Sequence, residues 1–256
     1  MDYREFYIKK KNGKQRRICA PDAELLRYQR TLLNPLNNYF IQLEDDLFND
    51  DVFHGFVRNR NCVTAALKHQ GFAHTITLDI SNCFDSIRFA AIPRLSTPAS
   101  PVTVIAQQVT HKDGSLGQGF ATSPILANLY LLNPIHELHQ FMETQYLDFR
   151  LTVYADDIQI SIPESTYEQM NTIIAAATSI LAAYRLTVNT TKTRIRHRKY
   201  GNRKVLGIQV GDTTLNPNRK LKKKIRAARH QGNHCSLGGL VTCSRMLLPR
   251  ALRPVE

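Results

Sequence analysis

Residues 150–163, RLTVYADDIQISIP, constrain the fold more than any other stretch of this chain. Apolar residues alternate with others on both sides of YADD: Val153 before it, then Ile158, Ile160 and Ile162 after it. A period of two marks a pair of half-buried strands, so the segment predicts a β-hairpin with adjacent carboxylates at its centre. Asp is common in turns, which gives Asp156 and Asp157 an ordinary explanation when taken alone. Their setting inside a buried sheet changes the argument. Neighbouring buried carboxylates repel each other and are driven to protonate unless a cation neutralises them. A hard divalent ion such as Mg²⁺, bound through one or two carboxylates and substrate phosphates, is the usual resolution.

A third oxygen ligand is expected from a second strand. In AHTITLDI, residues 73–80, Ile76, Leu78 and Ile80 share one face, while Thr75, Thr77 and Asp79 share the other. Asp79 is the candidate, with an N-cap for the segment beginning near Phe84 as its competing role. Three carboxylates at two adjacent strand sites form a two-metal cage suited to in-line phosphoryl transfer.

The rest of the chain predicts an α+β fold. FYIKKKNGKQRRIC, residues 6–19, is expected to form a hairpin turning at Asn12-Gly13. Leu25, Leu26, Leu32, Leu33, Leu36, Tyr39 and Phe40 give residues 22–42 a helical stripe. A looser stretch containing Pro93, Pro98 and Pro101 follows the Asp79 strand. Ser123-Pro124 is expected to open a helix as N-cap and first residue, with a kink at Pro134. Ser165 and Glu168 predict a capping box for a helix to about Tyr184, and KVLGIQV, 204–210, one further strand before a basic helix. Strand, helix, hairpin, helix and strand in that order predict an antiparallel sheet with helices packed on one face.

The chain has 256 residues, and 43% are hydrophobic, which excludes wholesale disorder. No apolar run is long enough to span a bilayer, and MDYREFYIKKK lacks the apolar core of a signal peptide. The five cysteines have no CxxC spacing, which points away from a disulfide framework and towards a reduced, cytoplasmic protein. Net charge is +13, and its distribution points to a polyanion partner. Between Lys192 and His230 the only acid is Asp212, whereas a solvated helix face usually mixes signs. A nucleic-acid backbone is the natural counter-surface.

LDISNCFDSI, QGFATSPILANL, YADD and LTVNTTKT, in that order, resemble the successive palm motifs of reverse transcriptases. GKQRRICAP and ELLRYQR resemble fingers segments, HGFVRNRN precedes the first catalytic strand, and KVLGIQV follows the last palm motif, so the likeness covers nearly the whole chain. It is strongest to the bacterial group that includes retron reverse transcriptases, with group II intron enzymes more distant.

The resemblance implies a right-hand polymerase fold with fingers at 1–72, palm at 73–212 and a short basic thumb at 213–256. A fingers-side insertion would occupy about 88–117. It implies RNA-directed DNA synthesis with two Mg²⁺ ions, for which Mn²⁺ can substitute. Asp79, Asp156 and Asp157 would be the metal ligands, with the Ile80 carbonyl auxiliary. Phe84 would lie under the incoming sugar and exclude a 2′-hydroxyl, with core packing as its competing role. Gln118 and Gly119 match the loop that contacts nucleotide and template, and Lys14 and Arg16 the fingers cations that hold the triphosphate. Lys192 matches the lysine that protonates pyrophosphate, and Lys220, Lys222, Lys223, Lys224 and Arg226 would grip the RNA–DNA duplex. Implied partners are a noncoding RNA template, dNTPs and an effector protein.

Three positions depart from the family pattern: Gly117 replaces a proline, Ala65 the asparagine of Asn-Ala-x-x-His, and Leu206 the threonine of Val-Thr-Gly. The same motifs leave room for a defence-associated polymerase outside the retrons, and for a catalytically idle RNA-binding scaffold. Retention of Asp79, Asp156, Asp157, Gln118 and Lys192 weighs against the scaffold.

Overall fold

A period-two apolar pattern must bury one face of a sheet, and the elements around YADD do so. The computed structural model describes residues 2–10, 13, 15–92, 109–201, 203–217 and 219–232. The chain opens with an antiparallel hairpin of β1 (Tyr3–Lys9) and β2 (Gln15–Pro21), whose register pairs Lys9 with Gln15. Helix α1 (Ala23–Leu47) starts where the Asp22 side chain accepts the Leu25 amide at 2.7 Å. Short α2 (Cys62–Lys68), strand β3 (His74–Asp79) and one-turn α3 (Cys83–Ser86) follow. Then come α4 (Ser123–Gln145), β4 (Arg150–Tyr154), β5 (Asp157–Ile162), α5 (Tyr167–Ala183) and β6 (Arg194–His197). Three short strands, β7 (Arg203–Val205), β8 (Ile208–Val210) and β9 (Leu215–Pro217), lead into α6 (Arg219–His230).

The central sheet has the order β4-β5-β3-β6 and is antiparallel throughout. Ile76 and Leu78, Leu151 and Val153, and Ile158, Ile160 and Ile162 join one core with apolar residues of α1, α4 and α5. Burial of each such Leu or Ile contributes roughly 1.5–3 kcal/mol, so the alternation fixes the register of all three strands.

The other face of the sheet is polar, yet much of it is buried. The Thr75 and Ser161 hydroxyls lie 2.9 Å apart, and Thr77 donates to Gln159 at 2.8 Å. His69, just past α2, reaches Ser161 Oγ at 2.9 Å and Thr152 Oγ1 at 2.7 Å with its two ring nitrogens. Burial pushes this imidazole down to about 3, so it stays neutral and donates through only one nitrogen. His69 thereby ties α2 to both strands of the YADD hairpin.

Several local expectations need correction. The α5 capping box lies one residue later than predicted, between Thr166 and Gln169. Ser123 is not an N-cap; its hydroxyl donates to the Gly117 carbonyl at 2.7 Å, and Thr122 precedes the helix. KVLGIQV is two strands, β7 and β8, joined at Leu206-Gly207, where both residues have positive φ (49° and 82°). That is the signature of a tight two-residue hairpin turn. Of the hairpin turn predicted at Asn12-Gly13, Gly13 has φ +80°, while Asn12 lies outside the described residues. Most of the looser stretch, 93–108, also lies outside them.

Candidate active site

The sheet register brings the aspartates together. Asp79 ends β3 directly opposite Asp157, the first residue of β5. Tyr154 pairs with Asp157 across the hairpin, which leaves Ala155 and Asp156 as the two turn residues. Ala155 adopts φ +57°, and the Ile80 amide donates to the Asp156 carbonyl at 2.8 Å, tying the turn to the end of β3. The N-cap role for Asp79 does not arise, because Asn82 is the residue preceding α3.

This packing is electrostatically costly. Burial, reinforced by Asp79, raises the Asp156 carboxyl above its usual range. Burial pushes Asp157 up to about 6, with Asp156 and Asp79 adding repulsion. The Cys83 thiol nearby is pushed up to about 12, chiefly by burial, so it stays protonated. Lys192 answers the acids most directly: its Nζ lies 2.6 Å from Asp79 Oδ1, and that bond holds its pKa above the ordinary lysine value, while Arg16 also acts on Asp156. Lys192 is delivered by a turn whose Asn189 amide donates to the Asp79 carbonyl at 2.7 Å. Three clustered hard-oxygen acids, only one of them in direct contact with an ammonium, fit a divalent cation, and two of them protonate more readily without it.

A cleft of about 350 Å³ opens on this end of the sheet. Asp79, Ile80, Asp156, Lys192, Phe84, Gln118 and Arg16 all line it. Asp157 and Gly119 are not among its lining residues. Phe84 is half-buried and also packs against the main core, so its two expected roles coexist. Gln118 Nε2 donates to Asp85 at 3.1 Å, and Asp85 is held in turn by Arg17 at 3.4 Å. Arg17 also reaches Asp113 at 3.2 Å, pinning the β1–β2 hairpin while the adjacent, exposed Arg16 faces the cleft.

Gly119 serves a close backbone approach. The Cys19 amide donates to the Gln118 carbonyl at 2.8 Å, and a Cβ on Gly119 (φ +114°) would meet the Cys19 oxygen at 2.4 Å. Lys14 lies outside the described residues, as does the side chain of Lys220. Lys222, Lys223, Lys224 and Arg226 are exposed along α6, while Ala228 is buried.

Among the lining residues that sequence reasoning missed are Lys10, Phe56, Asn82 and Asn189. Lys10 donates to Asn82 Oδ1 at 3.3 Å. The signal for Lys10 was present in the run of lysines at 9–11, but choosing among them requires the β1–β2 register. Phe56 gave no signal beyond its place in HGFVRNRN.

Among the described residues, the group of three metal-capable side chains with ligand atoms within 4.8 Å of one another lies elsewhere: His74, Glu164 and His197. His197 Nδ1 accepts the Lys199 amide at 3.0 Å, while its Nε2 lies 2.8 Å from Glu164. The ring proton is therefore on Nε2, which leaves that atom no lone pair for a metal. The aspartate end of the sheet remains the better candidate.

The fold is that of known polymerases. Telomerase from Candida tropicalis, solved in complex with a TWJ fragment of telomeric RNA, matches with a TM-score of 0.60 at 13% identity, over 95% of this chain and 53% of that one. Apo telomerase from the same organism, truncated from its C-terminal domain, gives 0.58 at 16% identity, over 85% and 55%. Residues 8–210 match the family described as reverse transcriptase (RNA-dependent DNA polymerase), and the chain belongs to that family. Similar curated proteins are retron enzymes. Retron Mx65 reverse transcriptase of Myxococcus xanthus is 28% identical over 96% of this chain and 62% of its own length. Retron Ec48 reverse transcriptase of Escherichia coli is 30% identical over 73% and 45%. Retron Se72 reverse transcriptase of Salmonella heidelberg is 24% identical over 80% and 53%. The chain thus spans between about half and three-fifths of these relatives. Among the described residues no helix is long and apolar enough to cross a membrane.

Proposed function

We propose that this chain is an RNA-directed DNA polymerase that copies a dedicated noncoding RNA, in a retron or a related anti-phage defence system of the cytoplasm. The observation that carries the reading is the register placing Asp79 opposite Asp157, with Asp156 in the turn beside them. Residues 1–72 would act as fingers, 73–212 as palm and 213–256 as thumb. Two Mg²⁺ ions, or Mn²⁺ in their place, would supply activation of the primer hydroxyl and neutralisation of the phosphates when bound.

The chain's own residues do the rest. Asp79, Asp156 and Asp157 would hold the ions, with the Ile80 carbonyl beside them. Arg16 and Lys10 offer cations to the triphosphate, and Gln118, oriented by Asp85, offers an amide to the nucleotide. Lys192, bonded to Asp79 and keeping its proton, would donate that proton to the departing pyrophosphate. Primer extension on RNA, together with sequencing of co-purifying nucleic acid, tests the reading. Absence of Mg²⁺-dependent extension on every template offered, the co-purified RNA included, would sink it.

Phe84→Val should relax discrimination against ribonucleotides by removing the ring beneath the sugar. Valine is preferred to alanine because Phe84 also packs on the core, where Phe→Ala costs roughly 3–5 kcal/mol. Matched dNTP and rNTP kinetics should show the selectivity ratio falling. An unchanged ratio in a folded variant would leave Phe84 with core packing alone.

Neutralising Lys220, Lys222, Lys223, Lys224 and Arg226 to Gln should weaken RNA–DNA duplex binding similarly for all sequences. The slope of log affinity against log salt should fall by roughly one for each phosphate that the variant no longer neutralises. Turnover at saturating duplex should survive. A slope identical to that of the parent would remove α6 from the interface.

A further inference from the structure

Phe56 is out of character for its surroundings. Residues 52–55 and Val57 are buried, yet the Phe56 side chain between them is 48% exposed. Its backbone adopts φ +62°, a left-handed conformation that is a genuine outlier for a bulky L residue. Such a conformation persists only where neighbours over-determine it. Here His54 donates to the Val153 carbonyl at 2.8 Å, and Val153 donates back to Val52 at 2.8 Å. Asn128 donates to the Gly55 carbonyl at 2.9 Å, and Arg60 to the Phe53 carbonyl at 2.9 Å. The loop is thus fastened to the strand carrying YADD. Its exposed aromatic side chain is held in the cleft with Asp79 and Asp156, its ring 6.4 Å from that of Tyr154.

An exposed aromatic in a costly conformation gains little from packing, so its benefit lies with a ligand. From this geometry we propose that Phe56 is a stacking platform for the primer–template, packing against the base pair at the growing end. The proposal rests on the polymerase reading above. Two placements favour the duplex over the incoming nucleotide. The cations suited to a triphosphate, Lys10 and Arg16, come from the β1–β2 hairpin, whereas Phe56 belongs to the loop locked on the YADD strand. Exposed Arg58, two residues on, adds a cation to the same loop for the backbone. Stacking on an aromatic face tolerates any base, as copying requires.

The test uses the full chain and two variants. Phe56→Gly removes the ring and relieves the left-handed strain, while Phe56→Tyr keeps the ring. Steady-state extension on a primed RNA template should show the Gly variant with KM for primer–template raised about tenfold or more and KM for dNTP unchanged. Its melting temperature should be equal to or above that of the parent, since glycine accepts this backbone freely. Phe56→Tyr should restore the duplex KM. A melting temperature clearly lowered by Phe56→Gly would make the ring a packing residue and overturn the proposal. A change confined to the dNTP KM, or an unchanged duplex KM, would overturn it as well. Anisotropy of a labelled RNA–DNA primer–template, without nucleotides, reads the platform independently of turnover. If the parent binds duplex but extends nothing, the polymerase reading fails, and weaker binding by Phe56→Gly still supports the platform. Equal binding refutes it.

Discussion

Asp156→Asn and Asp157→Asn should each reduce Mg²⁺-dependent nucleotide incorporation by roughly 10²–10³-fold or more, the usual scale for removing a group that stabilises transition-state charge. Asp157→Asn should also melt higher than the parent at pH 7.5 in the absence of divalent ions. The sign follows from the site. Burial and the neighbouring acids raise the folded-state pKa of Asp157 to about 6, while an unfolded aspartate titrates near roughly 3.9. Between those values the folded chain binds the proton more tightly, so stability falls as pH rises through this window. Above it the penalty for holding the charge is complete. Asparagine has no charge to bury, so the variant's advantage should be present at pH 7.5 and vanish below about pH 4. The group is partly solvated, so the gain is of order 1 kcal/mol after screening, or roughly 2–4 °C. Paired melts of parent and variant at pH 4 and 7.5 with chelator check it. A variant less stable than the parent at pH 7.5 would mean that Asp157 serves the fold rather than a cation.

Gly55→Ala should also impair turnover while leaving every acid in place. A Cβ built at residue 55 would lie 2.6 Å from the Ala155 amide nitrogen and 3.0 Å from the Tyr154 Cα and carbonyl carbon. All three are backbone atoms of the YADD turn, so no side chain can rotate to make room. Overpacking of this kind costs roughly 1–3 kcal/mol, and the alternative is displacement of the turn. Misplacing reacting groups by about 1 Å can cost about 10²-fold in rate. The expected outcome is a melting temperature lowered by several degrees and kcat reduced tenfold or more. Thermal melts and single-turnover extension measure the two parts. A variant with parental kcat would show that the 52–57 loop can move away from the turn without consequence.

The aspartates were legible because alternation specifies both face and register: once Ile158 and Ile160 point into the core, Asp157 must fall on the opposite face, as Asp79 does. What failed was local. STYEQ, residues 165–169, is ambiguous because Ser165 with Glu168 and Thr166 with Gln169 both satisfy the capping pattern. Only packing of Met170, Ile173, Ala177 and Leu181 distinguishes them. The β7–β8 turn was hidden because its first residue is Leu206, a type that rarely accepts positive φ, where Asn or Asp would have announced it. The cleft cation Lys10 depends on hairpin register, and the exposure of Phe56 depends on a loop docking against a strand far along the chain. Neither is written in a local pattern.

The sheet order also has a consequence for synthesis of the chain. Strand β3 is central and pairs on one side with β5 and on the other with β6. Thr75 and its partner Ser161 are 86 residues apart in sequence. At roughly 5–20 residues per second, β3 leaves the ribosome about 4–17 seconds before either neighbour exists to pair with it. During that interval an apolar strand has two open edges, the condition under which strands recruit wrong partners. Nascent chains stalled between β3 and β5 should therefore depend on chaperones far more than chains extended past β6.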